Sequence, residues 1–164
     1  MLKSESSLYK PVSRWLEDLL VSRFPTARIT VVDSHNMSLS MVIQQLSFQK
    51  YFAGFAAFDI KVDITGFIVL KDRIHLVFAE VKIAEIGLAD VGQILGYSRV
   101  ARPYLSMLVS LNGCSAPLES ILVTYGRYDI LEYQKGRMIK IAKWLPNRND
   151  IDPKSILPRG ESIL

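Results

Sequence analysis

The segment Asp59-Ile-Lys-Val-Asp-Ile-Thr-Gly-Phe-Ile-Val-Leu70, followed by Ile74-His-Leu-Val-Phe-Ala-Glu-Val-Lys-Ile83, decides the fold of this chain. In the first stretch branched apolar side chains alternate with polar ones, and a period of two is typical of a β-strand. The second stretch is rich in β-branched and aromatic residues, and a short polar turn joins the two. The sequence therefore predicts an antiparallel hairpin whose strands cover 59–70 and 74–83.

Three of the charged side chains on this hairpin can lie close together. Glu80 and Lys82 are two residues apart, so both leave the same face of the strand, and Asp63 on the preceding strand can converge on Glu80. The carbonyl of Val81 lies between them as a further oxygen ligand. Carboxylate and carbonyl oxygens are the ligands that Mg²⁺ prefers, and a bound divalent ion activates water for phosphodiester hydrolysis. Alternatively, these are ordinary polar side chains on a solvated strand face.

The remaining segments predict helices and further strands around the hairpin. Amphipathic spacing predicts a first helix over Pro11–Phe24, and helical spacing recurs in Ser40–Phe52, a segment expected at the rim of the site. The other predicted elements are a strand over Ala27–Asp33, a helix over Leu88–Arg102, a strand over Tyr104–Leu111, a helix over Pro117–Tyr125, and a hairpin over Tyr128–Gln134 and Arg137–Trp144. The order of helices and strands indicates the α/β class.

The helix over Leu88–Arg102 carries polar side chains that could serve a site. Gln93 and Tyr97 are four residues apart and share one face, where they could contact a phosphate or the attacking water. A surface glutamine and a half-buried tyrosine are the alternative interpretation. Arg99 and Arg102 end this helix and are expected close to the proposed site, where they could bind phosphates; alternatively, they complement the helix C-terminus.

Asp63, the triplet Glu80-Val81-Lys82 and the later Gln93-x-x-x-Tyr97 resemble the motifs of the PD-(D/E)XK nuclease superfamily, and in particular its RecB-like branch. The resemblance covers roughly residues 10–145. It implies a restriction endonuclease-like core, in which helices flank a mixed central β-sheet. We expect one domain over 1–146, followed by a C-terminal tail over 147–164 that is rich in Pro, Asn and Asp. The family usually adds an acid on the first helix, for which Glu17 is the match and Asp18 the alternative.

The function that the resemblance implies is a Mg²⁺- or Mn²⁺-dependent deoxyribonuclease that leaves 5′-phosphates. Asp63, Glu80, the Val81 carbonyl and Glu17 would hold metal, Lys82 would position the nucleophile, and Gln93 and Tyr97 would support the site. The Gln-x-x-x-Tyr pattern favours an exonuclease or structure-specific endonuclease that acts on DNA ends, single strands or branched DNA. The alternatives are a homodimer that resembles Holliday-junction resolvases, and a non-catalytic nucleic-acid-binding module on the same fold.

The chain departs from the family pattern at two positions. Val62 stands where many members have a proline, and Asp59 is a rival for Asp63 because both lie on one face of the predicted strand. The single Cys114 cannot supply the four ligands of an iron–sulfur cluster, so none is expected.

Composition is compatible with an enzyme that acts on DNA. One cysteine excludes an internal disulfide and suits a reducing cytoplasm, and the formal net charge of +4 suits a polyanionic partner. No stretch is long and apolar enough to predict a membrane span or a signal peptide. We therefore expect a cytoplasmic protein.

Overall fold

The computed structural model describes residues 4–164 and shows an α/β fold in which helices flank a mixed six-stranded sheet. The helices are α1 (Ser6–Arg23), α2 (Leu39–Gln45), α3 (Leu88–Ala101) and α4 (Ala116–Glu119), the last continuing as a π-helical turn over Ser120–Thr124. The strands are β1 (Arg28–Asp33), β2 (Ile64–Val69), β3 (Ile74–Lys82), β4 (Leu105–Ser110), β5 (Glu132–Gln134), β6 (Arg137–Met138), β7 (Lys140–Leu145) and β8 (Asp150–Ile151).

The strand order of the sheet is β1-β2-β3-β4-β7-β8. The pairs β1·β2, β2·β3 and β7·β8 are antiparallel, whereas β3·β4 and β4·β7 are parallel. The parallel pair β3·β4 needs a crossover connection, which α3 supplies. The predicted mixed sheet flanked by helices is therefore confirmed, as is the hairpin that joins β2 to β3.

Both faces of the sheet are buried, which explains why β3 is apolar along its length. On one face α1 packs its Leu16 and Leu20 against a cluster that includes Val77 and Ala79. On the other face α2 and α3 cover a cluster that includes Phe78. Because successive side chains of a strand point to opposite faces, Glu80 and Lys82 share the face of Phe78.

The bounds of several predicted elements differ from those observed. β2 begins at Ile64, so residues 59–63 lie outside the strand. α2 ends at Gln45 because Ser47 takes a left-handed backbone (φ 59°), and only a short 3₁₀ turn over Gln49–Tyr51 follows. Of the hairpin predicted over 128–144, only the short strands β5 and β6 pair with each other. The residues that follow form β7, which pairs with β4 in parallel.

The segment 147–164, predicted as a tail, packs on the domain. β8 pairs with β7, and Leu157 exchanges backbone hydrogen bonds with Ile141 of β7. Ile156, Leu157 and Ile163 are buried against the rest of the protein. These isolated apolar residues stand among polar ones, so they give no periodic pattern to recognise. Among residues 4–164, no helix is long and apolar enough to cross a membrane.

Two glycines provide a matched test of the packing between α1 and the sheet. A Cβ on Gly66 of β2 would lie 3.1 Å from Val77 Cβ and 3.4 Å from Leu20 Cδ1, whereas a Cβ on Gly96 of α3 would meet nothing within 4 Å. We expect Gly66→Ala to lower the free energy of unfolding by about 1–3 kcal/mol through overpacking. Gly96→Ala should raise it by up to about 1 kcal/mol because alanine favours the helix. Urea denaturation measures both, and equal effects would contradict this packing.

Candidate metal centre

Two carboxylates meet where the β2·β3 ladder ends. The last paired residues are Ile64 and Ala79, so the next position places Asp63 opposite Glu80. The Val81 N–H donates a 2.8 Å hydrogen bond to Asp63 Oδ2, and the Asp63 N–H approaches Glu80 Oε2 at 3.4 Å. The side chain of Asp63 therefore takes the place of a backbone acceptor at the end of the strand, and this bond holds it beside Glu80.

Lys82 completes the cluster. Its Nζ donates to Glu80 Oε1 at 3.3 Å. Glu80 is 7% exposed, while Asp63 and Lys82 are half-buried. A buried carboxylate is costly without a partner, and Lys82 supplies one. Two carboxylates share this one ammonium group, which leaves a local excess of negative charge.

Burial and the excess negative charge shift the pKa values of all three side chains in the cluster. Burial, together with the charge of Asp63, raises the pKa of Glu80 to about 7. Burial also raises the pKa of Asp63, against the opposing effects of the Val81 N–H and of Lys82. Burial alone would lower the pKa of Lys82, but the negative charges of Glu80, Glu5 and Asp63 outweigh it and the pKa is raised. The ammonium form of Lys82 is thus favoured.

The first turns of α1 overhang this cluster. Burial and the charge of Asp63 raise the pKa of the Tyr9 phenol, which faces the Asp63 carboxylate. Glu5, at the N-cap of α1, is close enough for its charge to act on both Asp63 and Lys82. The ring of His35 packs 4.7 Å from that of Tyr9.

Sequence reasoning missed Tyr9 and Glu5 because it began the helix at Pro11. The serines at positions 6 and 7 and the apolar Leu8 were the available signal, since they precede Pro11 without a helix breaker. Pro11 is the sixth residue of α1 and lies beyond the first four N–H groups that lack a helical partner, so the helix continues through it at the cost of one backbone hydrogen bond.

The structure does not bring Glu17 to the cluster. Glu17 lies eight residues after Tyr9, about 12 Å further along the helix axis, and both it and Asp18 are exposed. The reason is the phase of the helix: Leu16 and Leu20 face the sheet, which turns Glu17 to solvent. Among the acids of α1 within residues 4–164, Glu5 is the one whose charge acts on Asp63 and Lys82. Asp59, the rival of Asp63, is also exposed and lies outside β2.

The helix α3 begins at the same edge of the sheet, directly after β3. Ser98 Oγ bonds to Ser106 Oγ of β4 at 2.7 Å, which fixes one flank of α3 over β4. Gln93 is exposed, and Tyr97 packs partly on the core. Within residues 4–164, no hydrogen bond joins either side chain to Asp63 or Glu80.

Arg99 and Arg102 lie at the C-terminal end of α3, far from the acids. The expectation that they lie close to the site was therefore wrong. Arg99 is about 16 Å along the helix axis from Leu88. Its Nη2 reaches the Glu132 carbonyl at 3.5 Å. Arg102 follows the helix with a left-handed backbone (φ 52°). Both arginines therefore belong to the opposite edge of the sheet.

The donor set of the cluster fits Mg²⁺ or Mn²⁺. Asp63 and Glu80 offer carboxylate oxygens, and the Val81 carbonyl leaves β3 on the side of its own N–H, which is bonded to Asp63. No group of three or more His, Cys, Asp or Glu side chains that could hold an ion occurs in residues 4–164. Two carboxylates suffice for Mg²⁺, which keeps several water ligands. A cation would also offset the burial and the neighbouring negative charges that raise the pKa values of Glu80 and Asp63.

Comparisons of the chain with known proteins give no match. The scan against protein-family models, the search of curated proteins and the search of solved structures each return no match to the chain. The interpretation of the cluster therefore depends on its geometry and on the sequence motifs.

The acidic cluster should make stability depend on pH in the metal-free protein. The pKa of Glu80 rises from 4.5 to about 7 on folding, so the folded state holds a proton that the unfolded state has released. The free energy of unfolding should therefore fall as pH rises from about 4.5 to about 7, by roughly 3 kcal/mol at most. Glu80→Gln should remove this fall, as measured by urea denaturation in EDTA. The exposed Glu17→Gln is the control, and equal pH profiles for wild type and Glu80→Gln would contradict the assignment.

Proposed function

We propose that this protein is a Mg²⁺- or Mn²⁺-dependent deoxyribonuclease with a restriction endonuclease-like core of the PD-(D/E)XK type. The observation that carries the proposal is the pairing of Asp63 with Glu80 at the end of the β2·β3 ladder, with Lys82 bonded to Glu80. Burial of this pair supports the proposal further, because buried acids with raised pKa values cluster at functional sites.

Each member of the cluster has a role in this reaction. Asp63, Glu80 and the Val81 carbonyl would hold the ion, which supplies polarisation of the scissile phosphate and a lowered pKa for a bound water. The Lys82 ammonium positions that water and stabilises negative charge on the phosphate. Glu80 holds Lys82 in place through their hydrogen bond. Glu5 takes the place that the sequence had given to Glu17.

The substrate that we propose is DNA with ends or single-stranded regions, cut in the cytoplasm to leave 5′-phosphates. Gln93 and Tyr97 support this choice, because they lie on the helix that begins directly after β3, at the same edge of the sheet as the acids, and have side chains suited to a phosphate or a base. The half-buried, unpaired Cys114 is compatible with a reducing compartment.

Divalent ions should stabilise the protein through the two acids. We expect Mn²⁺ or Mg²⁺ to raise the melting temperature of the wild type at pH 8, because an ion that binds only the folded state stabilises it by mass action. Asp63→Asn and Glu80→Gln should abolish the rise, whereas Asp59→Asn, at an exposed position outside β2, should keep it. Differential scanning calorimetry with and without the ion measures the effect. A rise that survives in Asp63→Asn would place the ion elsewhere.

Cleavage should follow the geometry of the cluster. With Mn²⁺ and linear, single-stranded, circular and four-way-junction DNA as substrates, Asp63→Asn, Glu80→Gln and Lys82→Ala should each lower the rate by about 10²–10³-fold. Glu5→Gln should lower it, and the matched change Glu17→Gln should not. Preference for the junction would favour the resolvase alternative. DNA binding without cleavage of any substrate would favour the binding module, and cleavage by Lys82→Ala at the wild-type rate would contradict the assignment.

A further inference from the structure

Positive charge collects at the edge of the sheet opposite the acidic cluster. Both α1 and α3 run from the acidic edge to this one, where β3 begins. We call this region the basic edge; its cationic residues are Arg23, Arg28, Lys71, Arg73, Arg99, Arg102, Lys135, Arg137 and Lys140. Strand pairing aligns Arg28 with Val69, and Val69 with Ile74, so the first strands share this boundary. The acids there are Asp72, Glu132 and Glu161.

The acids of the basic edge leave most of its cations uncompensated. Glu161 pairs with Lys140, and Glu132 accepts from the Gly136 N–H. Lys71, Arg73 and Lys135 are exposed, and their side chains have no hydrogen-bond or ion-pair partner within residues 4–164. Unpaired cations that point to solvent attract a polyanion.

Aromatic rings are interleaved with these cations. The Arg137 guanidinium lies 5.0 Å from the centre of the Tyr104 ring and donates to the Pro103 carbonyl at 3.1 Å. His75 and Phe24 pack on the same tyrosine, each with its ring centre 5.5 Å away. Two contacts thus hold Arg137 in one orientation before any partner arrives, and a preorganised guanidinium suits phosphate recognition.

The positive charge of this edge acts on His75, which packs among the rings. Burial first, and then the charges of Arg73 and Arg137, lower the pKa of His75, while Asp72 opposes them only in part. Next to Tyr104 a cavity of about 600 Å³ opens between Tyr133, Arg137 and Lys140. The surface therefore combines positive charge, partly buried rings and a concave floor.

We propose that the basic edge is a second nucleic-acid-binding surface, which holds the phosphate backbone of DNA at a distance from the reacting phosphate. His75 and Glu80 are five residues apart on β3, or about 17 Å. A short substrate at the acidic edge therefore leaves the basic edge free, whereas a longer or folded strand reaches both. The inference rests on the proposed function only for the choice of DNA as the polyanion.

The test is binding of fluorescein-labelled duplex and single-stranded DNA in EDTA, where no hydrolysis occurs. The variant is Lys71→Glu, Arg73→Glu and Lys135→Glu combined, which changes exposed side chains without packing roles. The control is Arg14→Glu, Arg148→Glu and Lys154→Glu combined, an equal charge change at exposed positions outside the basic edge. Circular dichroism and urea denaturation check that both variants fold.

The basic-edge variant should bind at least about ten-fold more weakly than the control, and its slope of log K against log salt between about 50 and 200 mM should shrink by about 2–3. Equal affinities and slopes for the two variants would overturn the inference. Binding to vesicles that contain phosphatidylserine is measured in parallel. If the basic-edge variant loses binding to these vesicles but keeps binding to DNA, the inference is also overturned, because the partner would then be a membrane surface.

Hydrolysis separates this inference from the proposed function. If Mn²⁺ supports no cleavage by the wild type but the basic-edge variant loses DNA binding, the inference of a DNA-binding surface is kept and the proposed nuclease function is rejected. If the wild type cleaves, the basic-edge variant should cut short single strands at the wild-type rate and long DNA more slowly. An equal loss on both lengths would overturn the claim that the basic edge is a separate surface.

Discussion

The hydrogen bond from the Val81 N–H to the Asp63 carboxylate is the constraint on which the proposed chemistry depends. A backbone donor at the end of a ladder must find an acceptor when its neighbour strand stops. Here the acceptor is a charged side chain, and using it places Asp63 directly opposite Glu80. This bond satisfies the last backbone donor of the β2·β3 ladder and also brings two carboxylates together in a mostly buried position. Lys82 compensates for the charge of only one of them.

The rest of the fold separates opposite charges along the strands. α1 begins beside the acids and ends at the basic edge, and α3 does the same on the other face of the sheet. Because α1 runs from the acids to the basic edge, Glu5 and Tyr9 lie near the acids and Arg23 lies at the basic edge. The molecule therefore presents an acidic edge, where we propose a cation site, and a basic edge, where we propose a polyanion site.

Sequence patterns predict the parts of this structure that are local. Alternation located β2 and β3, and with them Asp63, Glu80 and Lys82, because a strand fixes which side chains share a face. The pattern could not show that β2 starts only at Ile64, since Ile60 and Val62 are buried without belonging to the strand. Nor could it orient α1: Glu17 and Glu5 are both helical acids, and only the packing of Leu16 and Leu20 on the sheet decides which one approaches the acids. Arg99 and Arg102 were misplaced because the direction of α3 is a property of the crossover, and the helix sequence does not contain it.

The most direct test of the central claim is anomalous diffraction from crystals of the metal-free protein soaked in Mn²⁺ at pH 8. We expect an anomalous peak at the end of the β2·β3 ladder, within coordination distance of carboxylate oxygens of Asp63 and Glu80 and of the Val81 carbonyl. The same soak of Asp63→Asn should show no peak there. A peak elsewhere, or none at the acids under conditions in which Mn²⁺ supports cleavage, would contradict the assignment of this cluster as the metal centre.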